Sequence, residues 1–507
     1  MNVPFLSGEY WYGGASHDGV KMPIGASDCY EIDCTKNETP NQMMPLFLSS
    51  KGRCLWAPEG FHIQFQCGEI VCDDCAVLTE CGETLKDAFQ YAAGHCFCVS
   101  GKAPDAALWR APMFNDWIEL TFYQTQEAVL RYARGIVENG FQPGVLMIDD
   151  GWAEHYGDWR FHSGRFPDAA AMLRELHHMG FQVMMWVVPY ISPDTMAYRH
   201  LKEIGALICG EDGEPYITRW WNGCSAVLDI GRKEADDWMH QQLKALMDLG
   251  VDGFKFDGGD CVYYPEQEGA PTPKERCEAW VRFGAQYALN EYRASWMGAG
   301  LPVMQRLCDK PHSWGTDGLG ALIPNMLAQG ITGHPFCCAD MVGGGEYLNF
   351  AENSDSLDEE LFVCHSAVSC LTPGIQFSAA PWRVLGKEAN EAIHRQLALR
   401  TEYLPVLEQV LRQSAQTGEP AVRYLEYEFP GEGCERITDC FMLGDALLIA
   451  PALEPKQAER RVYVPKGVWE TPRGEMQSGG EWCVFPLENA LPIVLRRKKG
   501  ACGSAEV

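Results

Sequence analysis

The run Val251-Asp252-Gly253-Phe254-Lys255-Phe256-Asp257-Gly258-Gly259-Asp260 sets a lysine and a carboxylate two residues apart, ahead of two glycines. Residues two apart on a strand point the same way, so Lys255 and Asp257 share a face. A neighbouring ammonium keeps a carboxylate ionised and can also donate to a sugar hydroxyl. The glycines let other groups come close. Charged residues at the C-terminal end of a barrel strand read as catalytic, and Asp257 is assigned as a nucleophile. Two alternatives stand beside this. Lys255 could form an imine, as in a lysine-dependent aldolase. It could also serve only as a buried ion pair with Asp257 or Asp252.

Leu146-Met147-Ile148-Asp149-Asp150-Gly151-Trp152 ends another strand with paired carboxylates and an indole. Asp149 and Asp150 can accept hydrogen bonds from vicinal hydroxyls while Trp152 stacks on a sugar's C–H face. Alternatively Asp150 caps the next segment and Asp149 alone faces inward. Trp186 is a second candidate platform, or a core residue. Cleaving a glycosidic bond with retention needs a second carboxyl about 5–5.5 Å from the nucleophile. Two aspartates qualify by position: Asp317 in Ser313-Trp314-Gly315-Thr316-Asp317-Gly318, and Asp340 in Cys338-Ala339-Asp340-Met341-Val342-Gly343-Gly344. Spacing leaves both open. Arg306 is a candidate hydroxyl or carboxylate anchor.

These residues need rigid carriers. Helical patterns over 126–139, 168–179 and 232–249 each stop at a glycine and are followed by a short apolar strand. Candidate strands at 144–150, 182–189, 226–230, 253–257, 302–305, 333–336, 374–377 and 422–426 alternate with helices. That pattern predicts an α/β chain with a (β/α)₈ barrel over 106–430. The alternating, turn-rich segment 1–105, with strands at 45–53 and 62–66, predicts a front β-sandwich, and the turn 109–117 separates it from the barrel. Short strands after 430 predict a small C-terminal β-domain over 431–507. A doubly wound sheet is the competing fold, but no GxGxxG or P-loop follows any strand.

The 507 residues are 46% hydrophobic, with 16 Trp and 51 Gly, enough for a large core in two or three domains. A net charge of −28 argues against nucleic acid and anionic membrane as partners. No stretch approaches twenty uninterrupted apolar residues. Residues 1–12 show no basic and apolar leader pattern, so a cytoplasmic location is expected. Twenty-two cysteines are scattered rather than framed, which suits free thiols in a reducing compartment. Cys67, Cys72, Cys75, Cys81, Cys96 and Cys98 are the one metal-like cluster, and their spacing is poor for zinc. The acidic, aromatic-rich surface is compatible with a homo-oligomer.

Taken in order, Lys255-Phe256-Asp257, Arg306 followed by Trp314-Gly315-Thr316-Asp317, the stretch from Pro335-Phe336 to Gly344, and Phe441-Met442-Leu443-Gly444-Asp445 with Arg461-Val462-Tyr463-Val464-Pro465 resemble glycoside hydrolase family 31 nearly end to end. They look most like a branch of that family represented in animals. The resemblance implies a retaining exo-acting α-glycosidase without metal or organic cofactor, acting on a small-molecule or oligosaccharide α-glycoside. It also implies Asp257 as nucleophile and Asp317, rather than Asp340, as acid/base. Asp149, Asp150, Trp152, Trp186, Lys255, Arg306, Trp314 and Asp340 are then expected around the sugar. Ile148-Asp149-Asp150-Gly151-Trp152 with Tyr156-Gly157-Asp158-Trp159 is similar to the α-galactosidases of families 27 and 36. A terminal α-linked galactose is therefore expected, ahead of glucose or xylose. A catalytically silent sugar-binding relative is the remaining alternative.

Overall fold

A computed structural model describes residues 1–346 and 357–498. Residues 499–507, counted above in the tail domain, lie outside the described residues.

Eight short parallel strands form the centre. In chain order they are Met113–Asn115, Val145–Ile148, Gln182–Val187, Gly253–Phe256, Asn290–Tyr292, Met304–Arg306, Cys337–Cys338 and Gln376–Phe377. Each pairs in parallel with the next in sequence as far as the seventh, and the eighth returns beside the first. A parallel bridge from Cys338 to Gly374 closes the ring. This is the expected barrel. The fourth strand shows why the sequence folds this way. Its Phe254 and Phe256 pack outward against Phe283 and Tyr287 at the end of helix Pro273–Gly284. The alternate position, Lys255, therefore turns inward.

The expected strand at 333–336 lies just ahead of the observed Cys337–Cys338, and two others belong elsewhere. The apolar run at 226–230 overlaps Gly223–Val227, which pairs antiparallel with Ile217–Trp220 and Tyr190–Ile191 in an excursion above the third strand. The run at 422–426 contributes Val422–Arg423 to the C-terminal sheet, antiparallel to Phe441–Leu443. In their places stand Met113–Asn115, inside the segment read as a turn, and Asn290–Tyr292. Both are three residues long, too short to show a period of two. Asn290 and Glu291 are buried polar residues, so they carry no hydrophobic signal either.

The front domain is two antiparallel sheets facing each other through Trp11, Phe47 and Phe65. It is joined to the barrel by a parallel bridge pair, Ser295–Trp296 against the start of strand Gln42–Ser49. This link occupies the chain between the fifth and sixth barrel strands, where no helix intervenes. The C-terminal β-domain has its own core around Trp469, Phe429, Leu448 and Leu495. Among the described residues no helix is long and apolar enough to cross a membrane.

Candidate active site

Asp257 follows the fourth strand and lies on the wall of a cleft of about 790 Å³ at the C-terminal mouth of the barrel. Its Oδ1 accepts from Gly258 N at 2.8 Å and Arg293 Nε at 3.2 Å, and its Oδ2 from Trp186 Nε1 at 3.0 Å. Burial alone would raise its pKa, but Arg293, then Lys255 and Arg306, outweigh it and hold the carboxylate well below its usual range. The chain then turns through two left-handed residues, Gly258 (φ +63°) and Gly259 (φ +72°). A Cβ at Gly259 would collide with the Trp280 ring, whose Nε1 donates to Asp257 O at 3.3 Å. Glycine is thus required where the backbone after Asp257 is anchored.

Lys255 Nζ lies 2.7 Å from Asp149 Oδ2, with both side chains nearly inaccessible. Burial would lower the lysine's pKa, but Asp149 foremost raises it, so the amine stays protonated and a poor imine former. Asp149 and Asp150 both line the cleft, so Asp150 does not merely cap the next segment. Asp150 Oδ2 accepts from Asn222 Nδ2 at 2.5 Å and Tyr156 OH at 3.2 Å, while its buried Oδ1 has no protein partner. Burial and then the charge of Asp149 push its carboxyl up to about 7.

Several expected site residues stand elsewhere. Trp152 is not on the cleft wall. It is fully buried, donates Nε1 to Trp186 O at 2.8 Å and packs on Trp159 and Phe161. Trp186 does line the cleft, but it offers its N–H edge to Asp257. Asp317 is exposed and outside the cleft. Its Oδ1 accepts from Ser313 Oγ at 2.6 Å just ahead of helix Leu319–Ile331, where a negative charge favours the helix dipole. The Ser313 hydrogen bond chiefly lowers its pKa, the reverse of what a resting acid needs. Trp314 lies outside too, donating Nε1 to Asp358 Oδ2 at 2.8 Å.

Arg306 and Asp340 sit beneath the cleft surface. Arg306 donates from Nη1 to Asp309 Oδ1 at 2.7 Å and Asp340 Oδ1 at 3.0 Å, and from Nε to Glu291 Oε1 at 3.3 Å. Asp340 also accepts from the backbone N–H groups of Lys310, Met341 and Gly345. The carboxylate that this bracket presents to the cleft is Asp309, with a side chain 43% exposed.

Asp309 was not read from the sequence, because no Trp-x-x-Asp pattern surrounds it. Arg293 was missed as well. It forks onto Asp260 through Nη1 at 2.9 Å and Nη2 at 2.8 Å, and donates to Pro40 O of the front domain at 2.7 Å. The available signal was positional: Arg293 follows its strand by one residue, as Asp257 follows its own. Trp117, Trp221, Tyr263, Glu38 and Thr39 complete much of the wall. The described cysteines are free thiols, and Cys67, Cys75 and Cys98 are exposed on the front domain. Among the described residues no three His, Cys, Asp or Glu side chains converge as a metal-binding group.

Residues 113–410 match the glycosyl hydrolases family 31 TIM-barrel domain, and 418–499 match the C-terminal domain of that family. The mouse myogenesis-regulating glycosidase is 32% identical over 408 residues, covering 78% of this chain and 57% of that protein. Alpha-glucosidase 2 of Bacillus thermoamyloliquefaciens is 25% identical over 476 residues, 82% of this chain and 59% of its own. The chain thus spans somewhat over half the length of these relatives. Among solved structures, a Flavobacterium johnsoniae GH31 dextranase complexed with glucose superposes with a TM-score of 0.85 at 19% identity, over 98% of this chain and 66% of that one. A GH31 alpha-xylosidase from a soil metagenome superposes at 0.82 with 21% identity, over 99% and 79%. Barrel, front sandwich, C-terminal β-domain and a carboxylate-lined cleft thus coincide with family matches over most of the chain, which belongs to glycoside hydrolase family 31.

Proposed function

We propose that the protein is a retaining, exo-acting α-glycoside hydrolase in which Asp257 is the nucleophile and Asp309, not Asp317, is the acid/base. The supporting observation is that Asp257 and Asp309, in the segments that follow the fourth and sixth strands, line one cleft with Arg293 and Trp186. Asp257 attacks the anomeric carbon as Asp309 protonates the glycosidic oxygen, and the leaving group departs as an alcohol. Water then attacks the β-linked glycosyl-enzyme, losing its proton to Asp309 and freeing Asp257. The sugar released is a terminal α-linked galactose. The reading is supported by Asp149 and Asp150 side by side on the wall, with Asp150 Oδ1 free to accept from a hydroxyl.

A panel of nitrophenyl α-galactoside, α-glucoside and α-xyloside tests this. The galactoside should give the highest kcat/KM. Preference for glucose or xylose, which the names of the Bacillus and metagenomic relatives suggest, overturns the choice of sugar. No turnover of any of them favours a silent sugar-binding protein. Asp257→Ala should abolish turnover. Asp309→Ala should lose about 10²–10⁴-fold on a poor leaving group and regain rate with azide on an activated aryl glycoside. Asp317→Ala should stay within a few-fold of wild type; the reverse pattern for these two variants refutes the assignment.

A further inference from the structure

We propose that Asn115, the last residue of the first strand, is a positioning residue for the sugar: its amide fixes the plane of the Asp149 carboxylate, so that one acceptor position is turned to a single glycone hydroxyl. This rests on the reading above that Asp149 meets the sugar. Asn115 is fully buried and lies behind the cleft wall rather than on it. Its Nδ2 donates to Asp149 Oδ2 at 2.7 Å, and its Oδ1 accepts from Trp117 N at 2.8 Å. An ionised carboxylate only accepts and a backbone N–H only donates, so the amide has one orientation.

A carboxylate offers about four acceptor positions. At Asp149 the protein fills two on Oδ2, from Asn115 and from Lys255 Nζ at 2.7 Å, and one on Oδ1, from Asp150 N at 2.9 Å. The remaining position, on Oδ1, is left for a ligand in the cleft that Asp149 lines. Lys255 supplies the counter-charge, but an ammonium on a flexible stem is a point charge and selects no carboxylate plane. Asn115 adds a second donor to the same oxygen, from a different strand. With Asp150 N on the other oxygen, the carboxylate cannot rotate without breaking a hydrogen bond.

The neighbouring residue grips the main chain. Asp116 Oδ1 accepts from Asp149 N at 2.9 Å and from Gln124 Nε2 at 2.7 Å. The end of the first strand therefore holds Asp149 by side chain and backbone together. The far end of the Asn115 amide fixes the start of the helix that carries Trp117, itself on the cleft wall. One uncharged side chain thus sets two cleft residues relative to each other.

The test is a set of monodeoxy nitrophenyl glycosides of whichever sugar the panel selects. The hydroxyl received by Asp149 is the one whose removal costs wild type about 10–100-fold in kcat/KM and costs Asp149→Asn nothing further. In Asn115→Ala the loss of that same hydroxyl should cost only a few-fold, while penalties at the other hydroxyls stay as in wild type. Equal penalties at that hydroxyl in wild type and Asn115→Ala overturn the proposal and leave Asn115 a brace of the strand. Should Asn115→Ala fail to fold, Asn115→Asp keeps the acceptor for Trp117 N and places a second carboxyl against Asp149. Such a pair keeps one proton, which donates as the amide did until rising pH removes it. The charged groups around the contact are Lys255, Glu291 and Arg306 on the fourth, fifth and sixth strands, with Asp116 and Asp150 beside it. On a dinitrophenyl glycoside, whose leaving group needs no proton, kcat/KM of Asn115→Asp should fall toward alkaline pH where that of wild type does not. A profile matching wild type overturns the proposal. If no deoxy substrate is penalised in wild type, Asp149 does not meet the sugar, and the site reading fails along with the proposal. Unchanged penalties in an enzyme that does show one defeat the proposal alone.

Discussion

Arg293 holds Asp257 and Asp260 together, with Nε on one carboxylate and the fork of the guanidinium on the other. An ammonium cannot make both contacts, so Arg293→Lys is not conservative here. Asp257 owes its low pKa first among its cations to Arg293. In Arg293→Lys the acidic limb of kcat/KM should therefore rise in pH, because Asp257 recovers its proton sooner as pH falls. kcat should drop by about tenfold or more from the misplaced carboxylate. A pH–rate profile of the variant checks both. Asn222 has the matching role for Asp150, which it contacts at 2.5 Å. If Asp150 binds sugar hydroxyls, as proposed, Asn222→Ala should raise KM for the preferred sugar more than it lowers kcat. Steady-state kinetics would show the opposite split if Asp150 took part in the chemistry.

The fourth strand and the helix Pro273–Gly284 meet at the Gly258-Gly259 turn, where Trp280 stacks against Phe283 and covers the backbone after Asp257. Gly259→Ala would meet both a left-handed backbone and the Trp280 ring. A cost of roughly 1–3 kcal/mol follows from such strain, and Asp257 would be displaced with its anchor. A lower midpoint in urea unfolding together with a reduced kcat is the expected result; unchanged stability would mean that the ring simply swings aside. At this scale the sequence was partly readable. The Lys255–Asp257 alternation needs only the pleat of one strand. The strands Met113–Asn115 and Asn290–Tyr292 are defined by their neighbours' hydrogen bonds, since three residues hold no pattern of their own.

Across the whole molecule, the front domain completes the site as well as covering the barrel. Gln42 donates to Gln305 Oε1 at 2.9 Å and accepts from Gln329 Nε2 at 2.7 Å, tying the front sheet to the sixth strand and its helix. Pro40, two residues earlier, receives the Arg293 hydrogen bond. Gln42→Ala would leave buried amides without partners, at about 1–3 kcal/mol. Activity and barrel tryptophan fluorescence should then be lost over the same temperature interval, both earlier than in wild type. Activity persisting after the front domain has melted would show that Pro40 is dispensable.

Local chemistry determined much of this from the chain alone. A pleated strand must put Lys255 and Asp257 on one side, Asp149 and Asp150 are adjacent wherever they fold, and helices ending at Gly140, Gly180 and Gly250 alternate with apolar strands in any compact arrangement. The order of motifs along the chain carried the family. Which of three nearby carboxylates shares the cleft with Asp257 was decided only by the tertiary structure. Asp309, Asp317 and Asp340 fall within one stretch of chain and differ little in type or neighbourhood. Yet Ser313 and a helix N-terminus retain the second at the surface, and a ring of backbone N–H groups encloses the third. Arg306 and the bare backbone of Gly345 leave the first facing the cleft. Such choices depend on contacts between residues far apart in the chain, and no short window of sequence contains them.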